Sequence, residues 1–269
     1  MAVITVSREL GSLGDELARV VAARLGYDLV DKLKMSEALE MQGFHPSEVE
    51  KFDERKPSIW QSLSHQRNRF LYSIRAAVYE FAAGQNAVIV GRGGQVLLRD
   101  LPGALHVRVT CPVKTRVKRL MEQHGYEQRQ AERVVRQADR ESAGFIGSFF
   151  DADWDDSALY DLTINTRTMS LETAIDLVIS AVGAPEFKVT SGEAAEKLKD
   201  LALRQKVEST LLGFPGVDVS VIKIENGVVS LTGMARSSEM IAECEKALRG
   251  LEGVKDLVSH IEVMEITLG

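Results

Sequence analysis

Near the amino terminus the chain reads Ala2-Val-Ile-Thr-Val-Ser-Arg-Glu-Leu-Gly-Ser-Leu-Gly14, and this segment predicts the architecture around it. Residues Ala2 to Val6 form a short apolar run rich in β-branched side chains, which is typical of a strand buried on both faces. A turn with two glycines then leads into apolar residues at helical spacing. Because the first N–H groups of a helix have no partner within it, and glycines let the backbone close around an anion, this succession predicts a phosphate-binding site.

The turn matches the phosphate-loop pattern G-x-x-x-x-G-K-[ST] incompletely. Gly11 and Gly14 are present, but no lysine follows, and the next residues are Asp15 and Glu16. Two carboxylates there would oppose a bound triphosphate, each by about 1 kcal/mol at about 4 Å in water and by about 4 kcal/mol at an effective dielectric constant of about 20. A structural alternative explains the same residues: Ser12 caps the helix, and the carboxylates complement its dipole.

Composition indicates a globular protein without an overall attraction to polyanions. The chain has 269 residues, is 45% hydrophobic and 27% charged, and carries a net charge of −6. This charge excludes general attraction to nucleic acid or anionic membranes, so a polyanion site must be a local basic patch. The two cysteines, Cys111 and Cys244, argue against a disulfide framework. No apolar run approaches the roughly 20 residues of a spanning helix, and no charged leader precedes the first strand, so we expect a cytoplasmic protein.

A second candidate site residue follows another apolar run. Asn86-Ala-Val-Ile-Val90 predicts a buried strand that ends in Gly91-Arg-Gly-Gly94. Because ligands of open parallel sheets bind outside the carboxyl ends of the strands, Arg92 is well placed to contact one. An incidental arginine in a glycine-rich turn is the alternative.

Strands and helices alternate through the first part of the chain. Further strands are predicted over 27–30, 105–110 and 161–166, and a long helix over about 58–83. His106 alternates with apolar neighbours and is interpreted as a strand histidine with a satisfied side chain rather than a ligand. The order predicts a parallel sheet with right-handed crossovers.

The segment Tyr126 to Glu141 predicts an amphipathic helix with an arginine stripe. At 100° per residue its alanines and valines gather on one side, whereas Arg129, Arg133, Arg136 and Arg140 gather on the other. An ordinary solvated face would mix the signs of its charges. Guanidinium groups bind phosphate oxygens well, so a mobile helix that carries them could close over a nucleotide. The aromatic pair Phe149-Phe150 and the aspartates after it are interpreted as a connection.

The pattern changes beyond Gly183-Ala-Pro185. One helix over about 193–212 is followed by two β-rich runs separated by Asn226-Gly227, which is the strongest short signal for a hairpin. An amphipathic helix over 238–248 and a strand over 254–264 complete a small α-β-β-α-β module. No cluster of residues in it resembles a catalytic or metal site.

Two resemblances follow from these motifs. Residues 1–183 resemble the cytidylate-kinase-like branch of the P-loop nucleoside monophosphate kinases. Residues from about 190 to 265 resemble a BON domain, through the hairpin that ends Val-Ser-Leu-Thr-Gly233 and through Leu251-Glu-Gly-Val254. The kinase resemblance rests on Ile4-Thr-Val-Ser-Arg-Glu-Leu-Gly-Ser12, Leu25-Gly-Tyr27 with Asp31-Lys32, Val88-Ile-Val-Gly-Arg-Gly93, Arg136-x-x-Asp139-Arg140, and Phe149-Phe150 through Asp153-Trp154 to Thr166.

The kinase resemblance implies a five-stranded parallel P-loop kinase sheet flanked by helices, with a helical lid. It also implies ATP and Mg²⁺ as cofactors, and transfer of the γ-phosphoryl group to a nucleoside monophosphate. No protein residue is predicted as a metal ligand. The carried-over cofactor-binding residues are Gly11, Ser12, Leu13 and Gly14, with Arg8 as a cationic substitute, and the carried-over catalytic residues are Arg92, Arg136 and Arg140. Aligned on Leu25-Gly-Tyr27, Gly14 falls where authentic cytidylate kinases have the loop lysine.

The sequence therefore predicts a kinase-like domain over 1–183, a linker over 184–191 and a BON-like α+β domain over 192–269. The leading hypothesis is a nucleotide-binding phosphotransferase whose BON domain contacts a phospholipid or a protein. A non-catalytic sensor of nucleotides or other phosphorylated ligands is the second hypothesis. A pure interaction protein with a relic loop is the third.

Overall fold

The computed structural model describes residues 2–51, 64–84 and 86–264, which form two compact units, 1–190 and 191–269. The strands of the first unit are β1 (Val3–Arg8), β2 (Asp28–Val30), β3 (Ala87–Val90), β4 (Ala104–Thr110) and β5 (Leu162–Asn165). Its helices are α1 (Gly14–Leu25), α2 (Lys32–Met41), α3 (Pro46–Lys51), α4 (Ser64–Ala83), α5 (Gly94–Leu97), α6 (Val113–His124), α7 (Gln128–Phe150) and α8 (Leu171–Val182).

The strands of the first unit form one parallel sheet in the order β2-β3-β1-β4-β5. This confirms the predicted five-stranded parallel sheet. The apolar run at the amino terminus is its central strand, and β1 continues two residues further than predicted, through Ser7 and Arg8. Of the long helix predicted over 58–83, Ser64–Ala83 is confirmed, and 58–63 lie outside the described residues.

The two faces of the central strand have different roles. Ile4 and Val6 point into an apolar core that α1 and α8 cover. Thr5 and Ser7 alternate with them and so face the opposite side of the sheet. The parallel register with β4 places Thr5 beside His106 and Ser7 beside Arg108. A row of buried polar side chains therefore crosses the face opposite the apolar core and reaches the carboxyl ends of the strands.

Helix α7 is longer than the sequence pattern predicts. It runs without a break from Gln128 to Phe150, so Phe149 and Phe150 belong to the helix, and their interpretation as part of a connection is wrong. The reason is packing: Phe149 contacts the rings of Phe70 and Phe145, which stabilises the last turns of the helix against α4.

The second unit has the predicted α-β-β-α-β order. Its elements are α9 (Ser191–Leu211), β6 (Val217–Glu225), β7 (Val228–Ala235), α10 (Ser238–Arg249) and β8 (Asp256–Val263). Asn226 and Gly227 connect β6 to β7 with φ of +52° and +81°, which confirms the hairpin. Strand β8 adds to β7 in parallel, and one face of the sheet packs on α9 and α10 around Val207, Leu231 and Leu248.

Among the described residues, no helix combines the length and the apolar composition that spanning a membrane requires.

Candidate functional site

The loop between β1 and α1 consists of residues 9–13. Gly11 and Leu13 adopt positive φ, +80° and +69°. The residue before α1 is Leu13, and no side chain caps the helix. The Ser12 hydroxyl is fully buried and has no hydrogen-bond partner in the part of the chain that the structure describes. The structural alternative in which Ser12 caps the helix is therefore wrong, although Asp15 and Glu16 do lie in its first turn.

Each carbonyl of this loop is held by a hydrogen bond. The Glu9 and Leu13 carbonyls accept from the backbone N–H groups of Ser12 and Leu17, each at 3.0 Å. The other three bonds come from distant side chains: Arg116 Nη1 donates to Leu10 at 3.4 Å, Arg119 Nη1 donates to Gly11 at 3.0 Å, and Thr166 Oγ1 donates to Ser12 at 2.7 Å. The carbonyl groups are thus tied to α6 and to the residue after β5.

The N–H groups at the start of α1 differ from these hydrogen-bonded carbonyls. Within the described residues, the N–H groups of Leu13, Gly14, Asp15 and Glu16 have no hydrogen-bond acceptor. Consecutive unpaired N–H groups at a turn and a helix start form a concave anion site, which the helix dipole strengthens. The loop can therefore bind phosphate oxygens through main-chain atoms.

Arg8 lies beside this anion site. Its side chain is 19% exposed, and its Nε donates to Asp15 Oδ1 at 2.9 Å. The ion pair neutralises one of the two carboxylates that would oppose a phosphate.

Arg92 follows the neighbouring strand β3 and is buried, with only 2% of its surface exposed. Its backbone has a φ of +56°, between two glycines that also have positive φ. Gly93 is required here because a Cβ would lie 2.2 Å from the ring of Phe150. The turn therefore packs directly against the end of α7.

A narrow pocket brings Arg92 and Arg8 together at the carboxyl ends of β1 and β3. Within the described residues, no carboxylate lines it, and Gln95 contributes a buried amide whose Nε2 has no hydrogen-bond partner there. Such a pocket attracts an anionic group. Its lining consists of Ser7, Arg8, Gly91, Arg92, Gly93, Gln95, Ser142, Phe145, Ile146 and Trp154.

A hydrogen-bonded cluster includes two of the side chains that line this pocket, Ser7 and Trp154. Ser7 Oγ accepts from Arg108 Nη1 at 3.1 Å and from Trp154 Nε1 at 2.9 Å. The Arg108 guanidinium stacks on the Trp154 ring at 3.6 Å and donates to Asp155 at 2.8 Å. These contacts attach the segment after α7 to the polar face of β1 and β4, and they fix the Trp154 wall of the pocket.

Arg116 connects the loop to α7. Its guanidinium is 2% exposed and donates to both carboxylate oxygens of Asp139, at 2.9 and 2.8 Å. Its Nε donates to the Cys111 carbonyl at 2.7 Å and lies 3.4 Å from Glu9 Oε2. Burial raises the pKa of Glu9, and this effect outweighs the lowering by the Cys111 N–H and by Arg116.

Among the described residues, the arginine stripe of α7 makes no hydrogen bond or ion pair with the loop. Arg136 is exposed and lines a groove between α6 and α7, beside Lys114 and Lys118. No residue of the loop lines that groove. Arg140 is exposed and makes no hydrogen bond or ion pair with any other described residue. The structure thus brings Arg8, Arg92 and the loop amides together, and it does not bring Arg136 or Arg140 to them.

Sequence reasoning missed several residues of this site, above all Arg108, Arg116 and Gln95. A signal existed for Arg108, because a charged residue alternates with buried valines in β4. Gln95 directly follows the glycine-rich turn Gly91-Arg-Gly-Gly94. No sequence pattern pairs Arg116 with Asp139, since the two residues lie on different helices.

The described residues contain no cluster of three or more histidine, cysteine or acidic side chains that could hold a metal ion. A Mg²⁺ ion that accompanies a nucleotide is bound chiefly by phosphates and water, with one or two protein oxygens, so it does not need such a cluster.

Comparison with known proteins agrees with this architecture. Residues 3–168 match the family model "Cytidylate kinase-like family", and residues 199–265 match the BON domain. A cytidylate kinase from Haloarcula marismortui is 23% identical over 180 residues, covering 66% of this chain and 88% of that protein. A uronate isomerase from Corynebacterium glutamicum is 30% identical over 98 residues, which cover 36% of this chain but 19% of that protein.

A solved structure shows the same fold in the first unit. It is that of an uncharacterized protein from Eubacterium ventriosum, with a TM-score of 0.54 and 23% identity, and the match covers 68% of this chain and 98% of that one. Together with the parallel sheet and the phosphate-type loop, the family match over more than half of the sequence determines the classification. The chain belongs to the cytidylate kinase-like family and carries a carboxyl-terminal BON domain.

Proposed function

We propose that residues 1–183 form an ATP-dependent phosphotransferase of the nucleoside monophosphate kinase type. The observation that carries this proposal is the loop itself, whose carbonyls are all bonded while four consecutive N–H groups at the start of α1 have no acceptor among the described residues. This arrangement fits the β- and γ-phosphates of ATP. The adjacent narrow pocket at Arg92 has no carboxylate among the described residues that line it, so its charge suits the phosphate of an acceptor once the pocket opens.

In this reaction a phosphate oxygen of the monophosphate attacks the γ-phosphorus of ATP, and the bond to the β–γ bridging oxygen breaks. The products are ADP and a nucleoside diphosphate. The protein acts by positioning and charge stabilisation, so it needs no covalent nucleophile. The backbone of Gly11, Ser12, Leu13 and Gly14 would hold the ATP phosphates, and Mg²⁺, when bound with the nucleotide, would neutralise part of their charge.

The arginines of α7 complete the proposal. Arg136 and Arg140 would stabilise the transferring charge after a movement of α7 toward the loop. The two residues flank Asp139, whose bond to Arg116 holds the helix in the present arrangement. Closure would therefore pivot about this ion pair.

A coupled assay of ADP release tests the activity, using ATP with each of the four common ribonucleoside monophosphates. Turnover with at least one acceptor is expected, and Arg92→Ala and Arg136→Ala should each lower it by about 10²-fold or more, as loss of a preorganised charge does. Arg24→Ala is the matched control, because Arg24 lies at the far end of α1 in exposed ion pairs. A complete lack of turnover with every acceptor would contradict the proposal.

A second function is favoured by one specific feature, the glycine at position 14 in place of lysine, followed by two carboxylates. The first unit would then be a sensor that binds a nucleotide or another phosphorylated ligand without turnover. Stabilisation by ATP in a thermal-shift titration without turnover would distinguish this function, since bound ligand raises the free energy of unfolding by about 2.7 kcal/mol at 100 times Kd. In either case the BON domain, at 192–269 after a linker at 184–191, would attach the protein to a phospholipid or a protein partner.

A further inference from the structure

The space beside Gly14 is occupied by Arg8. A Cβ built on Gly14 would lie 2.3 Å from Arg8 Cβ and 2.8 Å from Arg8 Cγ. Real Cβ atoms do not approach other atoms so closely, so a side chain at position 14 and the observed course of Arg8 exclude each other. A residue with a β-carbon at position 8, such as Arg8, therefore requires glycine at position 14.

The far end of the Arg8 side chain lies at the anion site. Its Nε contacts Asp15 at 2.9 Å, and the N–H groups of Gly14 and Asp15 are among those without an acceptor in the described chain. A second, independent observation concerns the pocket that Arg8 lines. Arg8 and Gln95 line one pocket, and the Gln95 Nε2 atom is buried there without a partner among the described residues.

We propose that Arg8 supplies the phosphate-binding cation of this loop, from the end of β1 rather than from α1, and that Asp15 holds it until a phosphate displaces the carboxylate. This inference rests on the proposed function and assigns the residue that replaces the missing lysine. A guanidinium suits the task because its planar donors match phosphate oxygens. Asp15 is 51% exposed, so it can turn into solvent when a phosphate takes its place.

Titration of the full chain with ATP, and separately with inorganic tripolyphosphate, tests the inference by calorimetry. Arg8→Gln should weaken binding of either probe by about tenfold, which corresponds to about 1.4 kcal/mol. Asp15→Asn should tighten binding about threefold or more, because a competing negative charge is removed. Arg24→Gln is the matched control, since its exposed ion pairs lie in the last turn of the same helix, and binding should not change.

Variants that move the cationic side chain from position 8 to position 14 make the test specific. Gly14→Lys alone should bind as weakly as Arg8→Gln, because its side chain collides with Arg8. The double variant Arg8→Gly, Gly14→Lys removes the β-carbon at position 8 and should recover affinity to within about threefold of the wild type.

The inference is overturned if Arg8→Gln binds both probes like the wild type, or if Asp15→Asn binds more weakly. It is also overturned if neither probe binds the wild-type protein. Binding of tripolyphosphate without ATP, with the expected order of variants, would sustain the role of Arg8 and reject the proposed function.

Discussion

Arg116 joins three parts of the first unit through one guanidinium. It contacts the loop at Leu10, the Cys111 carbonyl just before α6, and Asp139 on α7. With 2% of its surface exposed, it cannot replace these partners with water. The orientation of the loop carbonyls, and through them of the unpaired N–H groups, therefore depends on a residue outside the loop.

Arg116→Ala should lower the free energy of unfolding of the first unit by up to about 3–5 kcal/mol, because it removes a buried guanidinium and leaves partly buried carboxylate and carbonyl groups without their partner. Arg24→Ala, which removes exposed ion pairs, should cost at most about 1 kcal/mol. Urea unfolding followed by tryptophan fluorescence measures both, since Trp60 and Trp154 belong to residues 1–190. Equal losses in the two variants would contradict the structural role of Arg116.

His106 predicts a pH dependence of stability. Its interpretation as a satisfied strand histidine agrees with its contacts, because its Nδ1 lies 2.7 Å from the Thr5 hydroxyl. Burial lowers the pKa of His106 below its ordinary value of 6.5, although Asp161 and the Leu98 backbone act in the opposite direction. The unfolded chain therefore binds more protons than the folded chain between the lowered pKa and 6.5.

The contribution of His106 to stability is complete above pH 6.5 and is lost as the pH falls through the lowered pKa. His106→Gln should remove this part of the pH dependence. The measurement is the urea midpoint between about pH 7.5 and about pH 5, compared between the two proteins. Parallel curves of urea midpoint against pH for wild type and variant would show that His106 does not contribute to the pH dependence of stability. Glu9, whose pKa is raised, is present in both proteins and affects both curves alike.

At the scale of elements, the hairpin of the second unit depends on a helix side chain. Asp200 on α9 is 8% exposed, and its two carboxylate oxygens accept from the N–H groups of Asn226 and Gly227 at 2.7 and 2.9 Å. The turn residues have the positive φ that only a few residue types adopt readily. The helix thus fixes the turn against the rest of the domain, beyond what the Asn-Gly pair does locally.

Asp200→Ala should destabilise the second unit by about 1–3 kcal/mol, because two N–H groups lose their acceptor where water has little access. Hydrogen exchange of the peptide that contains residues 217–235 measures this, and the amides at 226 and 227 should exchange faster. Asp200→Asn keeps one carboxamide oxygen and should lose less. Unchanged exchange in both variants would show that the turn holds without the helix.

Helix α7 shows how far an amphipathic pattern can be interpreted. Its arginine stripe and apolar face are as the sequence predicts, and the apolar face packs on α6 through Ala131 and Val135. Where the stripe points relative to the loop depends on the Arg116–Asp139 pair and on the aromatic contacts at the end of the helix. Neither contact has a local signature in the sequence.

At the scale of the whole molecule, the two units have separate cores. The second unit buries Leu203, Val221, Val229 and Cys244 among its own residues. Residues 190–269 expressed alone should therefore fold, with a far-ultraviolet circular dichroism spectrum of mixed helix and strand and a cooperative thermal transition. A spectrum of an unfolded chain would show instead that this segment is an extension of the first unit.

The sequence by itself determined the order of strands and helices, the parallel sheet, the hairpin and the two family resemblances, because each of these depends on periodicity, turn chemistry or motifs within a few residues. The tertiary structure alone decided that Arg8 and Arg92 share a pocket, that Arg116 and Thr166 hold the loop carbonyls, and that Arg136 lines a groove without any loop residue. The physical reason is that these arrangements join residues far apart in the chain. Side-chain packing and hydrogen bonding, rather than local backbone preference, select their geometry.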